Sequence, residues 1–190
     1  MKKGVESIHI TKCTIADSFI SLMNKYDYYK ITVNMIVDHA GISRGTFYNY
    51  FENKEELLDW ILVRDIEDFV LPCIKKGFNR QALLMLFTCL KSKKSFYQRA
   101  VNVRSDFYIS PMLVKGCLYL SSDMSSTFYD KCQTDTPTII YGAGLAAVIN
   151  FWIKDGMKIP EGKMADDVYT ATVLPLLKSD SDFNQTEDEG

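Results

Sequence analysis

Apolar residues recur along most of the chain at intervals of three and four, which predicts a succession of amphipathic helices and an all-α protein. From about Ile8 to Tyr26 the positions Ile15, Phe19, Leu22, Met23 and Tyr26 share one face of a first helix. Val33, Ile36, Val37 and Ala40 make a short second helix between a capping Thr32 and a terminating Gly41. Ser43 caps a third, Arg44 to Tyr50, whose Phe47 points inward with Phe51 four residues on. Asn53 and Glu56 form an N-x-x-E start signal for a long helix running to about Lys76. Its buried face is expected to hold Leu57, Leu58, Ile61, Leu62, Ile66, Phe69 and Val70, with Glu56, Asp59, Arg64, Glu67 and Asp68 outside; Pro72 should kink or end it. The helix after Asn79 is apolar nearly all round, which predicts a place in the middle of the body, with Lys91, Lys93 and Lys94 at a solvated end. Ser95 to Arg104 and Asp106 to about Asp130 supply a short and a long helix, the latter interrupted near Ser110-Pro111 and Gly116. Thr136-Pro137 opens a helix that stops at Gly156, and a last one covers about Glu161 to Lys178.

Two helices joined at the tight corner Gly41-Ile42 leave one polar face between them. That face carries Arg44, Gly45, Thr46, Tyr48 and Asn49, which are a charge, a residue without a side chain, two hydroxyls and an amide suited to phosphates and base edges. The run I-T-V-x-x-I-V-x-x-A-G-I-S-R-G-T-F-Y-N-Y-F-x-N-K-E-E-L-L resembles the helix-turn-helix of the TetR family of bacterial transcription regulators. The resemblance implies that Ser43 to Tyr50 enters the major groove and that Thr32, Tyr48 and Lys54 hold phosphates. Asn49 and Tyr50 depart from the aromatic-then-histidine pair common in that family, which leaves the DNA-binding role intact and the operator sequence unread. The nucleic-acid contacts expected are therefore Thr32, Ser43, Arg44, Gly45, Thr46, Tyr48, Asn49, Tyr50 and Lys54.

Charge alters this picture only slightly. The net charge is −2 and the isoelectric point about 5.7, the wrong sign for a nucleic-acid binder until the charge is divided along the chain. Residues 1–54 carry seven basic residues (Lys2, Lys3, Lys12, Lys25, Lys30, Arg44, Lys54) against five acids (Glu6, Asp17, Asp27, Asp38, Glu52), and the acidic excess lies in the remainder. Hydrophobic residues at 47% suffice for a globular core, and five widely spaced cysteines without a C-x-x-C pair point to a reducing cytoplasm. The longest apolar run, Thr138 to Ile153, is short of a membrane span and contains Asn150, and the N-terminus lacks a signal-peptide core. The expected organisation is a helix-turn-helix head over residues 1–54, a ligand-responsive and dimerising helical-bundle body over 55–178 and a disordered acidic tail over 179–190.

Within the body, Phe96, Tyr97, Phe107, Tyr108, Tyr119 and Phe128 are candidate linings of a ligand cavity, although most such aromatics are simply core. Gly142 and Ala146 allow close helix approach, and with Ile149, Trp152, Val168 and Leu174 they are the candidate homodimer interface, two helices from each chain making four. Packing inside one chain is the alternative for the small residues; the block F-W-I-K-D-G-M-K-I-P resembles TetR-family bodies and favours the interface. No catalytic, metal or cofactor motif accompanies His9 and His39, so an enzyme is not expected. The chain reads as a regulator binding double-stranded DNA as a homodimer, modulated by an unknown small-molecule effector. A TetR-type activator under a protein co-activator is the alternative, since F-Y-Q-R-A-V from Phe96 and W-I-K-D-G-M resemble a subgroup that includes the activator of dihydroxyacetone-kinase operons. A thiol switch at Cys89 or Cys117 is a third form of control.

Overall fold

A computed structural model describes residues 2–77, 79–103, 109–128 and 136–173, among which the regular elements are helices. They are α1 (Lys2–Lys25), α2 (Val33–Ala40), α3 (Arg44–Tyr48), α4 (Lys54–Asp65), α5 (Leu71–Ile74), α6 (Asn79–Ser92), α7 (Lys94–Ala100), α8 (Pro111–Phe128), α9 (Thr136–Lys154) and α10 (Glu161–Val168). A 3₁₀ turn at Tyr28–Lys30 links α1 to α2, and π-helical turns cover Ile66–Val70 and Tyr169–Val173. The tail over 179–190 lies outside the described residues, as does Leu174.

The apolar face of α1 buries Ile15, Phe19 and Met23 completely in one cluster with Ile36, Phe47 and Phe51. Phe47 and Phe51 lie with ring centroids 5.9 Å apart, and Trp60 of α4 closes on Phe51 at 5.7 Å. Tyr26, expected on that face, is exposed, because α1 stops at Lys25 and the helical period no longer carries it inward.

After α4 the helical path does not stop at Pro72 but widens into the π-helical turn and continues as α5. Pro72 has no N–H to give to Asp68, and the preceding backbone slips to the longer register, Leu71 N–H donating to Ile66 O. The extra residue in that turn rotates the side chains after it. Phe69, expected inside, is therefore 44% exposed, while Ile66, Val70, Leu71 and Ile74 are buried. Arg64, expected outside, is only 7% exposed.

In the body α8 packs along α9 and α6 along α10. Helix α8 runs unbroken through Gly116, which serves packing and does not interrupt the helix: a Cβ there would come within 2.5 Å of Leu62 Cδ2. Gly142 has the same role in α9, where a Cβ would lie 3.0 Å from the Leu118 backbone Cα. A backbone atom cannot rotate away. Gly142→Ala is expected to destabilise the fold by about 1–3 kcal/mol in urea unfolding, the usual cost of overpacking. Among the described residues no helix is long and apolar enough to cross a membrane.

Candidate nucleic-acid interface

Local caps position the helix pair. Thr32 Oγ1 accepts the N–H of Met35 at 3.2 Å, and Gly41 closes α2 in the left-handed region at φ 68°, where a side chain would be strained. Ile42 N–H returns to Val37 O at 3.0 Å, which sets the corner. Ser43 Oγ then accepts the N–H of Thr46 at 3.0 Å and lies 2.9 Å from Thr46 Oγ1, so α3 starts with its entry angle fixed. The helix is shorter than the expected span, ending at Tyr48 with Asn49 and Tyr50 in the turn.

With Phe47 buried, Arg44, Gly45, Tyr48 and Asn49 face outward and Thr46 and Tyr50 are half-buried. Arg44 Nη2 donates to Tyr48 Oη at 3.3 Å, with the guanidinium 5.5 Å from that ring, so the two long side chains restrain each other before any ligand arrives. A Cβ at Gly45 would meet only Ser43 Oγ, at 3.7 Å. The fold thus has no need of glycine there. What the missing side chain permits is close approach from outside the chain.

Lys54 behaves differently from the free phosphate clamp expected of it. Its cap is as expected, Asn53 Oδ1 accepting Glu56 N–H at 2.8 Å while Glu56 Oε2 accepts Glu52 N–H at 2.6 Å. The ammonium, however, turns inward and donates to Ile31 O at 2.6 Å and Tyr28 O at 3.1 Å, lying 4.2 Å from the Tyr28 ring centroid. Burial holds its pKa below the ordinary lysine value, with Glu55 acting against that shift. Lys54 braces the turn between α1 and α2, and one of its three protons is left for a phosphate.

The described candidate pocket residues do not converge. Phe96 and Tyr97 are fully buried and packed on each other with centroids 5.0 Å apart, and Tyr119 is half-buried with its hydroxyl on Glu67 Oε1 at 2.8 Å. Phe107 and Tyr108 lie outside the described residues, as does the side chain of Phe128. An open cleft of about 220 Å³ lies elsewhere, between Asn53, Leu58 and Asp59 on one side and Val103, Met112 and Lys115 on the other. The candidate interface is also corrected. Gly142, Ala146, Ile149, Trp152 and Val168 are buried within their own chain, Gly142 against Leu118 and Trp152 against Phe87 with centroids 5.2 Å apart. The face of α9 left outward carries Ile139, Ile140, Gly144, Val148 and Phe151.

Lys91 and Lys93 do not form a solvated end. Lys91 Nζ donates to Met157 O, and Lys93 Nζ reaches both oxygens of Asp65 at 2.5 and 2.6 Å. Tyr97 Oη donates to Asp65 Oδ2 at 2.7 Å, and its pKa lies well above the ordinary phenol value through burial first and the adjacent carboxylate second. This buried cluster escapes helical periodicity because its members come from different elements. Cys89 and Cys117 are both pushed up to about 12, by burial in each case and for Cys89 also by Asp65. At pH 8 about one in ten thousand of either thiol is ionised, too little for a switch. Native protein treated with iodoacetamide at that pH is expected to leave both unlabelled, and labelling before unfolding would contradict this environment.

Known regulators share this head. A model of bacterial regulatory proteins of the tetR family matches residues 15–61, from Ile15 in α1 into α4. Residues 15–61 thus carry a TetR-type DNA-binding domain. The chain is 36% identical over 107 residues to the HTH-type dhaKLM operon transcriptional activator DhaS of Lactococcus lactis subsp. lactis (strain IL1403), a match covering 56% of this chain. The chain spans about half the length of that curated relative, 55%. A solved structure of the dihydroxyacetone kinase operon activator DhaS superposes with a TM-score of 0.62 at 25% identity, over 88% of this chain and 96% of that one. The fatty acid degradation regulator FadR of Bacillus halodurans shares the fold, with a TM-score of 0.56 at 18% identity over 83% of this chain and 95% of its own.

Proposed function

We propose that the chain regulates transcription in the cytoplasm as a homodimer whose two α3 helices read a pseudo-palindromic operator about one DNA turn apart. Residues 1–54 are the reading head, and residues 55–178 dimerise and answer an effector that alters the spacing of the heads. The observation that carries the reading is the outward face of α3, where Arg44, Gly45, Tyr48 and Asn49 stand exposed on a helix pair fixed by the Thr32 and Ser43 caps. Arg44 and Asn49 face base edges, while Thr32, Ser43 and Tyr48 reach phosphates. The outward apolar stripe of α9, with Ile140 64% exposed, is the surface for the second copy. Selection of random duplexes on the purified protein is expected to enrich a two-fold symmetric site, which Tyr48→Ala binds roughly 10- to 150-fold more weakly, the cost of one hydrogen bond to a charged group at about 1.5–3 kcal/mol. Ile140→Glu should yield a monomer in sedimentation velocity that no longer protects both half-sites. A monomeric wild type would sink the dimer.

Control by a protein co-activator is the second reading. Phe96 and Tyr97, two of the three described aromatics proposed for a cavity, instead fill the core at zero exposure, and the DhaS relative is named an activator. If selection at low salt enriches no duplex from the isolated protein, this reading takes precedence.

A further inference from the structure

Side-chain charge, as well as the backbone of α4, joins the N-terminal helices to the body. Arg64 stands between two carboxylates, 3.4 Å from Asp17 Oδ1 on α1 and 3.4 Å from Asp65 Oδ1 beside it, with its guanidinium 5.4 Å from the Trp60 ring. Asp65 is itself held from the body by Lys93 on both oxygens and by the Tyr97 hydroxyl. The groups facing this cluster are Cys13 and Asp17 from α1, Trp60 from α4, Cys89 from α6, and Lys93 and Tyr97 at the α6–α7 corner. Burial works to lower the Arg64 pKa, but Asp65, Cys13 and Asp17 together raise it, so the guanidinium stays charged.

The distances rank these bonds. Charge-assisted hydrogen bonds run about 2.7–2.9 Å, so the body's three bonds to Asp65 are short and both Arg64 contacts are stretched. The Asp65 carboxylate, 3% exposed, is neutralised by Lys93, and Arg64 is left divided between partners. Asp17 is 71% exposed, so water screens its hold on Arg64. A buried carboxylate that loses one cation draws in the nearest other.

We propose that Asp65 is a charge-exchange point coupling body to head. With Lys93 seated on Asp65, Arg64 remains available to Asp17 and holds α1. When the α6–α7 corner withdraws Lys93, Arg64 closes on Asp65, lets go of Asp17 and loosens α1, which keeps its apolar seat and against which α2 packs. The π-helical turn starting at Ile66, the next residue, gives α4 a place to shift register. The regulatory consequence rests on residues 1–54 being the DNA-reading head, but the exchange itself does not.

Hydrogen–deuterium exchange on the full chain without DNA tests it, and so gives its answer whether or not an operator is found. Lys93→Met is expected to raise exchange of α1 amides over residues 11–25 about two- to fivefold, the share of one screened ion pair. Adding Asp65→Asn should bring α1 back towards wild type, because a neutral amide no longer attracts Arg64. Asp17→Asn should speed α1 alike and leave α6 and α7 unchanged. Should Lys93→Met not fold, Tyr97→Phe, which removes one of the body's three bonds, must show a smaller acceleration that Asp65→Asn also reverses. Unchanged α1 exchange in the single variant, or equally fast exchange in the double, overturns the proposal.

Discussion

Urea titrations between pH 8 and pH 11 are expected to show the chain losing about 3–5 kcal/mol of stability, most of it through two thiols. Cys117 sits in the face of α8 turned to the core, 2% exposed, and burial alone raises it from an ordinary value of 9.0 to about 12. An unfolded chain gives up that proton near pH 9 while the folded chain keeps it to about 12. Over that window the folded state binds more protons, so stability falls as pH rises, by about 1.4 kcal/mol per unit for each such group. Below pH 9 neither thiol contributes. Cys89 acts in the same direction with a smaller share, because it is partly exposed and screened. Tyr97 adds to the loss above pH 10, whereas Lys54, lowered by burial, opposes it just below pH 10.5. Cys117→Ala should therefore flatten the alkaline slope by about 1.4 kcal/mol per unit and cost little at pH 7. An unaltered slope in that variant would show that the thiol is not held protonated by the fold.

Chemistry acting within three or four residues was legible in the sequence. Thr32, Ser43 and Asn53 accept from backbone N–H groups three positions ahead, and Gly41 supplies the positive φ after its own helix, so each could be recognised from its neighbours. Phe69 and Arg64 were not legible, for two different reasons. A regular period assumes one helical register, and the slip before Pro72 changes it, which turns Phe69 out. Arg64 is buried because of Asp17 and Asp65, and Asp65 in turn because of Lys93, 28 residues further on.

The body shows the same limit. Helix α9 is apolar on both sides, and its small residues announce only that something approaches closely. That something is α8 of the same chain, which consumes Gly142 and leaves Ile140 and Val148 outward. Periodicity finds a helix's faces; which of two apolar faces meets its own chain depends on the other helices. The same applies to Phe96 and Tyr97, whose aromatic composition suits a cavity wall and a filled core equally until Phe19 and Asp65 are placed against them.

Lys54→Met is expected to weaken DNA binding for every sequence while leaving the salt dependence nearly unchanged. The ammonium joins the start of α4 to carbonyls 23 and 26 residues earlier, so it fixes where α1 hands over to α2. Hydrogen bonds from a charged donor contribute about 1.5–3 kcal/mol each, and partial exposure of this group places the pair towards the low end, about 3–4 kcal/mol together. Methionine keeps the stem that packs beside Tyr28 but leaves both carbonyls to water, and the helix pair loses its brace. A residue acting as a phosphate ligand behaves otherwise, since its removal lowers the slope of log affinity against log salt by about one. The two roles are therefore separable in one titration series. A lower melting temperature with the salt slope intact assigns Lys54 to bracing, and a slope reduced by about one in a protein of wild-type stability assigns it to the DNA backbone. Tyr48→Ala is the control, because its ring is 46% exposed and touches Arg44, so affinity should fall with the melting temperature unmoved.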